Sequence, residues 1–284
     1  MAYDVLVRER YQRGWHHGRS RYRDGAFAVA AMSYTPPAEI YARLGEANVE
    51  EALRAFYVTR AGSSLRPEEI KKIPELAGIL PVLARTRQDP LLVDAAAGRA
   101  PVGLMAARLL GWSKVVVIER EPGRAASARR AAARLPGTQV EVREGDVGDA
   151  EVWPEAAEVV VALHACGPAF DEVVDQAMVR NVPWVLAVPC CYSDAVGFAD
   201  AARAWADHLG VAAQASVRRR FVESLIDTER TLRLEAGGYR VSVQPFVPPT
   251  VTPHNLVWKA HRVGAGRRAA EAKERWARLA RGPE

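Results

Sequence analysis

Leu91–Leu110, reading LLVDAAAGRAPVGLMAARLL, constrains this chain more than any other stretch. The apolar run Leu91–Val93 ends at Asp94, small residues fill Ala95–Ala100, and Pro101 suits a first helical turn, so the segment predicts strand, tight turn and helix. Gly98 can take a positive φ without a Cβ penalty. The small residues around it let a ligand approach the backbone, where the next helix points free N–H groups and a positive dipole end. A second apolar strand, Lys114–Ile118, runs into Glu119, an acid about 20 residues beyond the turn. Strand, glycine turn, helix, strand and acid is the order of a nucleoside-binding βαβ unit, in which the acid accepts from ribose hydroxyls. An ordinary βαβ unit with a charged strand end shares the same outline.

From Asp89 onward, strand and helix patterns alternate with short connections. Strands are expected at 91–94, 114–119, 138–143, 158–163 and 183–188, and helices at 101–110, 122–135, 169–181 and 196–209, with a shorter helical piece near 148–156. After a helix from Arg219 to Glu235, two strands, Tyr239–Phe246 and Asn255–His261, are joined only by a Pro-rich loop. They must run antiparallel, because a parallel return needs a crossover. The expected fold is α/β: a doubly wound, mostly parallel, seven-stranded Rossmann-like sheet with a C-terminal antiparallel hairpin and an N-terminal helical extension. Upstream, one helix is expected from Ala38 to about Arg60 and another from about Arg66 to Arg85, both covering the edge or mouth of the sheet. Three regions follow: a basic arm and helical extension over 1–69, the α/β domain over 70–263, and a basic tail over 264–284 expected as a solvated helix.

The chain has no run of 18 apolar residues and begins polar and Arg-rich, which argues against a membrane span and a secretory signal and for the cytoplasm. Its three cysteines, Cys166, Cys190 and Cys191, are too few for a disulfide framework and lack a second metal-type pair, so reduced thiols and no metal are expected. The formal net charge of +5 favours acidic partners. Val7–Arg23 concentrates it, with six arginines, Arg19 and Arg21 among them, interleaved with Tyr11, Trp15 and Tyr22. Guanidinium groups that pair with phosphate and rings that stack on unpaired bases suit RNA; a solvated arm docked by its aromatic residues has the same composition.

Two further segments, VVALHACGPAFD (Val160–Asp171) and VLAVPCCYS (Val185–Ser193), and the ending TPHNLVWKAHR (Thr252–Arg262), resemble the class I S-adenosylmethionine-dependent methyltransferase domain of a tRNA 2′-O-methyltransferase and its relatives. That family carries a Leu-His-x-Cys-Gly segment after its fourth strand and a double cysteine after its fifth. The resemblance spans about Ile70 to Arg262 and implies S-adenosylmethionine as cofactor. It implies cofactor contacts from Asp94, Ala96, Gly98, Glu119 as the ribose-binding acid, Asp146 near the adenine, Leu163 and His164, and an acceptor side formed by Cys190, Cys191 and Tyr192. The chain departs from the family at Ala96 and Ala100, where related turns often have glycine, at Arg99, where lysine is common, and at Phe170, where threonine often precedes the aspartate. Alanine fits those turn positions if φ is negative there.

Methyl transfer to a hydroxyl requires a nucleophile aligned behind the methyl carbon and a group that takes its proton. His164, at the carboxyl end of a central strand, is a candidate base or substrate contact, since imidazole titrates near neutral pH; a turn histidine bonded to backbone is the alternative. Asp171 is a second candidate, as base, as partner of His164, or as a cap on the helix at 169–181. Zinc or covalent chemistry at Cys190 and Cys191 is not expected, because adjacent side chains ordinarily project apart. The functional expectation is a methyltransferase acting on RNA, tRNA included, at oxygen or nitrogen. A small-molecule methyltransferase with a helical lid and a non-catalytic nucleic-acid-binding module are the alternatives.

Overall fold

A computed structural model describes residues 35–60, 62–86 and 91–283. Five strands, β1 (Leu91–Ala95), β2 (Lys114–Glu119), β3 (Gln139–Glu144), β4 (Val159–Ala165) and β5 (Trp184–Pro189), run parallel, and β6 (Tyr239–Pro245) and β7 (Leu256–Arg262) complete a seven-stranded sheet. The order is β3-β2-β1-β4-β5-β7-β6, with β7 antiparallel to both of its neighbours. The chain winds outward from β1 to β3 and then crosses to β4 on the other side. This reversal opens a crevice at the carboxyl ends of β1 and β4, where open α/β sheets bind ligands.

The central strands are nearly continuous runs of Val, Leu, Ile and Ala because both faces of the sheet are covered. Alternate residues serve opposite layers: Leu92, Val115, Val117, Val159 and Val161 enter one core, and Val93, Val116, Ile118 and Val160 the other. The first core is closed by α2 (Glu46–Tyr57), α3 (Pro67–Ala84), α4 (Pro101–Leu110) and α5 (Pro122–Ala132). The second is closed by α6 (Ala169–Val179), whose Phe170 meets Trp258 of β7 edge to face at 5.7 Å, and by Leu234 of the long helix α8 (Ala215–Ala236). A smaller core joins α7 (Ala199–His208) to α8 through Phe198, Ala202 and Ile226. Among the described residues no helix is long and apolar enough to cross a membrane.

Several expectations change. The helix expected over 38–60 is two: α1 (Ala38–Ala42) stops, and Gly45 stands in extended backbone as the N-cap of α2. Glycine lends itself to that break because it loses the most backbone freedom inside a helix. The upstream helices do more than cover an edge: Val49, Leu53, Phe56, Leu76, Leu80 and Leu83 are buried in the first core. Gly78 of α3 lies so close to the β6–β7 loop that a Cβ there would fall 2.5 Å from the Phe246 carbonyl oxygen. The piece near 148–156 is a single 3₁₀ turn, Ala150–Val152, and the helix expected from Arg219 begins at Ala215. The tail forms α9 (Arg267–Arg281), which is only half solvated. It packs along α8, burying Ala269, Ala272 and Trp276, and the Trp276 indole donates to Glu229 Oε1 at 2.9 Å.

Candidate cofactor and acceptor site

The turn after β1 is built on three positive φ angles at alternate positions: Ala96 (52°), Gly98 (61°) and Ala100 (61°). The negative φ that alanine would favour is therefore absent at both alanines. The turn is overdetermined instead. Ala97 N–H donates to the Ile118 carbonyl of β2, Ala100 N–H to the Ala97 carbonyl, and Gly98 N–H to Glu119 Oε2 at 2.6 Å. The Tyr57 hydroxyl of α2 donates to the Arg99 carbonyl at 2.8 Å, and its ring lies 4.1 Å under the Arg99 guanidinium, which also pairs with Glu69 of α3 and donates to Ser127. Two N-terminal helices thus grip the turn from outside.

Asp94, buried at the end of β1, accepts from the Gly103 N–H in the first turn of α4 at 2.7 Å. Burial is the main influence on its carboxyl and, with the Glu119 charge adding to it, outweighs that hydrogen bond, so the pKa is pushed up to about 7. Asp94 is thus a brace between strand and helix. Glu119, at the end of β2, uses one lone pair on Oε2 for Gly98 and one on Oε1 for the Glu121 N–H at 2.8 Å. A carboxylate offers about four acceptor sites, so each oxygen retains another. A Cβ built on Gly98 would meet nothing within 4 Å, which leaves open space over the turn. Asp146 follows β3, with Oδ1 accepting from Gly148 N–H at 2.9 Å and Oδ2 3.3 Å from Arg120.

At the end of β4 the pairing with β5 slips. Leu163 pairs with Val188 and Ala165 with Pro189, leaving His164 as an extra residue with φ 62°. A bulge of this kind re-aims a side chain. The His164 imidazole is largely buried, and Nε2 lies 3.0 Å from Glu75 Oε2 of α3, an ion-pair distance without the geometry of a full hydrogen bond. Lys72 Nζ approaches the same oxygen at 2.5 Å. Burial alone would raise the Glu75 carboxyl, but His164 and Lys72 together outweigh it and hold the pKa below the ordinary glutamate value. Leu163 is partly buried beside this bulge.

Asp171 lies in the first turn of α6, but its contacts are to α8 and not to His164 or the helix N-terminus. Arg230 holds it through Nε at 3.1 Å and Nη2 at 3.2 Å, and Arg233 Nη2 reaches it at 2.5 Å. The Arg230 side chain is fully buried, stacked 4.3 Å from the Phe170 ring. The next residue on that path is Tyr192, whose hydroxyl lies 2.8 Å from Asp227 Oδ1. Burial raises the Asp227 carboxyl to about 6, against the opposing Tyr192 and Arg230 contacts. Tyr192, Asp227, Arg220, His254 and Pro189 line a cavity of about 270 Å³. A second cavity, about 340 Å³, lies beside the start of α5 and collects Arg66, Arg99, Arg124 and Arg130.

The cysteines depart most from expectation. Cys190 and Cys191 follow β5 in irregular backbone, where strand alternation does not apply, and their sulfurs are 3.4 Å apart. Cys166, after β4, joins them: its sulfur is 3.6 Å from that of Cys191 and disulfide-bonded to Cys190, where reduced thiols were expected. Sequence reasoning also missed Tyr57, Glu69, Lys72 and Glu75, whose only local signal is the spacing of Lys72 and Glu75 on one helical face. Arg19 and Arg21 lie outside the described residues.

Residues 68–196 match the family model of a methyltransferase domain. A glutathione S-transferase C-terminal domain-containing protein of Xenopus laevis is 23% identical over 228 residues, covering 72% of this chain and 36% of that protein; the chain thus spans about a third of the curated relatives it matches. Solved structures with a similar chain path include the Methanococcus jannaschii fibrillarin pre-rRNA processing protein (14% identity, TM-score 0.44, 63% of this chain and 69% of that one). Another is a precorrin-6y C5,15-methyltransferase of Geobacter metallireducens (17% identity, TM-score 0.39, 71% and 91%).

Proposed function

We propose, from the methyltransferase-domain match over residues 68–196, that this chain is an S-adenosylmethionine-dependent methyltransferase acting on RNA, tRNA included, at an oxygen or nitrogen atom. The observation that carries the reading is Glu119, a buried carboxylate at the end of β2 with one acceptor site left on each oxygen beside an open turn. That arrangement fits the two hydroxyls of a ribose. Asp94 and the Tyr57 and Glu69 contacts to Arg99 keep the turn in its unusual conformation. When bound, S-adenosylmethionine supplies an electrophilic methyl group on a sulfonium. The chain's own residues orient the acceptor and take up its proton, and His164, re-aimed by the bulge and held by Glu75, is the group suited to hold that proton.

RNA as acceptor is supported by the formal charge of +5, the arginine-aromatic arm over residues 7–23 and the four-arginine cavity beside α5. The cavity lined by Tyr192, Asp227 and His254 favours the second reading, a small-molecule acceptor.

Calorimetric titration with S-adenosylmethionine and S-adenosylhomocysteine tests the cofactor site. Removing the Glu119 carboxylate takes away two charge-assisted bonds, each about 1.5–3 kcal/mol, so Glu119→Ala weakens binding by at least tenfold. Equal affinity in wild type and a folded variant defeats the placement of the site. For the acceptor, tRNA affinity should fall steeply with salt and fall again when Arg8, Arg10, Arg13, Arg19, Arg21 and Arg23 are replaced by glutamine; unchanged binding removes the RNA reading.

A further inference from the structure

The sulfurs of Cys166, Cys190 and Cys191 lie within 4.8 Å of one another, on two loops that leave the carboxyl ends of adjacent strands. The loops are tied together by backbone: Gly167 N–H donates to the Cys191 carbonyl at 3.3 Å. Gly167 has φ 58°, and a Cβ there would stand 3.2 Å from Ser193 Oγ, so the approach of the loops uses glycine twice over. The convergence is thus a property of the fold at this point, not of three independent rotamers.

We propose that the reduced protein binds one zinc ion through these three thiolates, with the fourth position open to water or another exogenous donor. Thiolates select soft and borderline cations. In a tetrahedral zinc site with Zn–S about 2.3 Å, neighbouring sulfurs stand about 3.8 Å apart. The separations of 3.4 Å and 3.6 Å that Cys191 makes to Cys190 and Cys166 are within a few tenths of that span. The Cys166–Cys190 disulfide is the oxidised form of the same site. Two electrons from a phosphine or dithiol, with two protons, convert it to two thiols, and zinc then displaces three protons from three thiols. Cys166 and Cys191 are exposed, which gives the ion a way in and leaves a coordination position accessible. The site does not depend on the methyltransferase reading, because its ligands are separate from Glu119 and the β1 turn.

The chain contains three cysteines in all, which makes the test direct. The 284-residue chain, reduced by a phosphine without oxygen or metal, is treated with an alkylating agent with and without one equivalent of zinc and weighed by mass spectrometry. Three adducts without zinc and none with it are expected; an alkylation pattern that zinc does not change overturns the proposal. Titration with cobalt(II) should give thiolate-to-metal charge-transfer absorption saturating at one equivalent and abolished by zinc, and its absence likewise overturns the site. In Cys191→Ser, checked for fold by circular dichroism, zinc affinity should drop by more than the 10–100-fold that loss of an outer partner costs. Wild-type affinity in that variant shows that three thiolates are not the ligand set.

Discussion

Replacing Ala96 and Ala100 by glycine, one at a time, separates two effects that the turn after β1 combines. Both residues have left-handed backbone, at φ 52° and 61°, which costs an L-residue about 1–2 kcal/mol relative to glycine. Glycine returns about 0.4–1 kcal/mol of that advantage through the freedom it gains in the unfolded chain. At the half-buried Ala96 the balance favours glycine by about 0.5–1 kcal/mol. Ala100 is fully buried, and losing its methyl costs about another 0.8 kcal/mol, which cancels the gain. Ala96→Gly should therefore raise the melting temperature by about 1–2 °C and the urea midpoint with no change of slope, whereas Ala100→Gly should leave both nearly where they are. A lower midpoint for Ala96→Gly would mean that Ala96 does not occupy the left-handed region, and the overdetermined turn would have to be abandoned.

Because burial holds the Asp94 carboxyl at about 7 against an ordinary 3.8, its contribution to stability is fully present below pH 3.8 and lost as pH rises through 7. Asp94→Asn keeps an acceptor for Gly103 and should gain stability relative to wild type between pH 4 and pH 8; parallel pH profiles of unfolding refute the assignment. Arg230→Ala leaves Asp171 with Arg233 alone and Asp227 with only the Tyr192 hydroxyl, and should cost about 3 kcal/mol in denaturant unfolding; a loss below about 1 kcal/mol would show that the pair is not buried in solution. Glu75→Gln removes the carboxylate that holds the His164 imidazole in place and should lower the rate of methyl transfer with the cofactor affinity unchanged; an unchanged rate separates the pair from the proton step.

The sheet was legible because its strongest signals are local. Val93, Val117, Val160 and Leu186 sit in short apolar runs with turn residues on either side, and the limits of β2 and α4 agree with the pattern to the residue. Boundaries failed where tertiary packing decides. Nothing between Ala38 and Arg60 announces a stop except Gly45, since one apolar face continues through it, and Trp276 looks like part of a solvated face until α8 is beside it. Packing outweighs propensity at such ends.

The candidate site was legible only where one segment supplies all its parts. Asp94, Gly98 and Glu119 belong to a single βαβ unit, so their meeting follows from the geometry of that unit. His164 differs: its meaning depends on a bulge against β5 and on a carboxylate from a helix about 90 residues upstream, and neither leaves a mark on the sequence around it. The non-glycine residues with positive φ among the described residues are Ala96, Ala100, His164 and Asn181, and the first three stand at the carboxyl ends of β1 and β4. Each costs on the order of 1–2 kcal/mol, and such residues persist only when their surroundings hold them. Here the holders are the Ile118 carbonyl and Glu119 of β2 within the sheet and, from the N-terminal helices, Tyr57 and Glu69 through Arg99 and Glu75 beside His164. Those helices therefore do more than cover one face of the sheet: together with β2 they brace the strained backbone on both sides of the crevice, which ties the stability of α2 and α3 to the shape of the site.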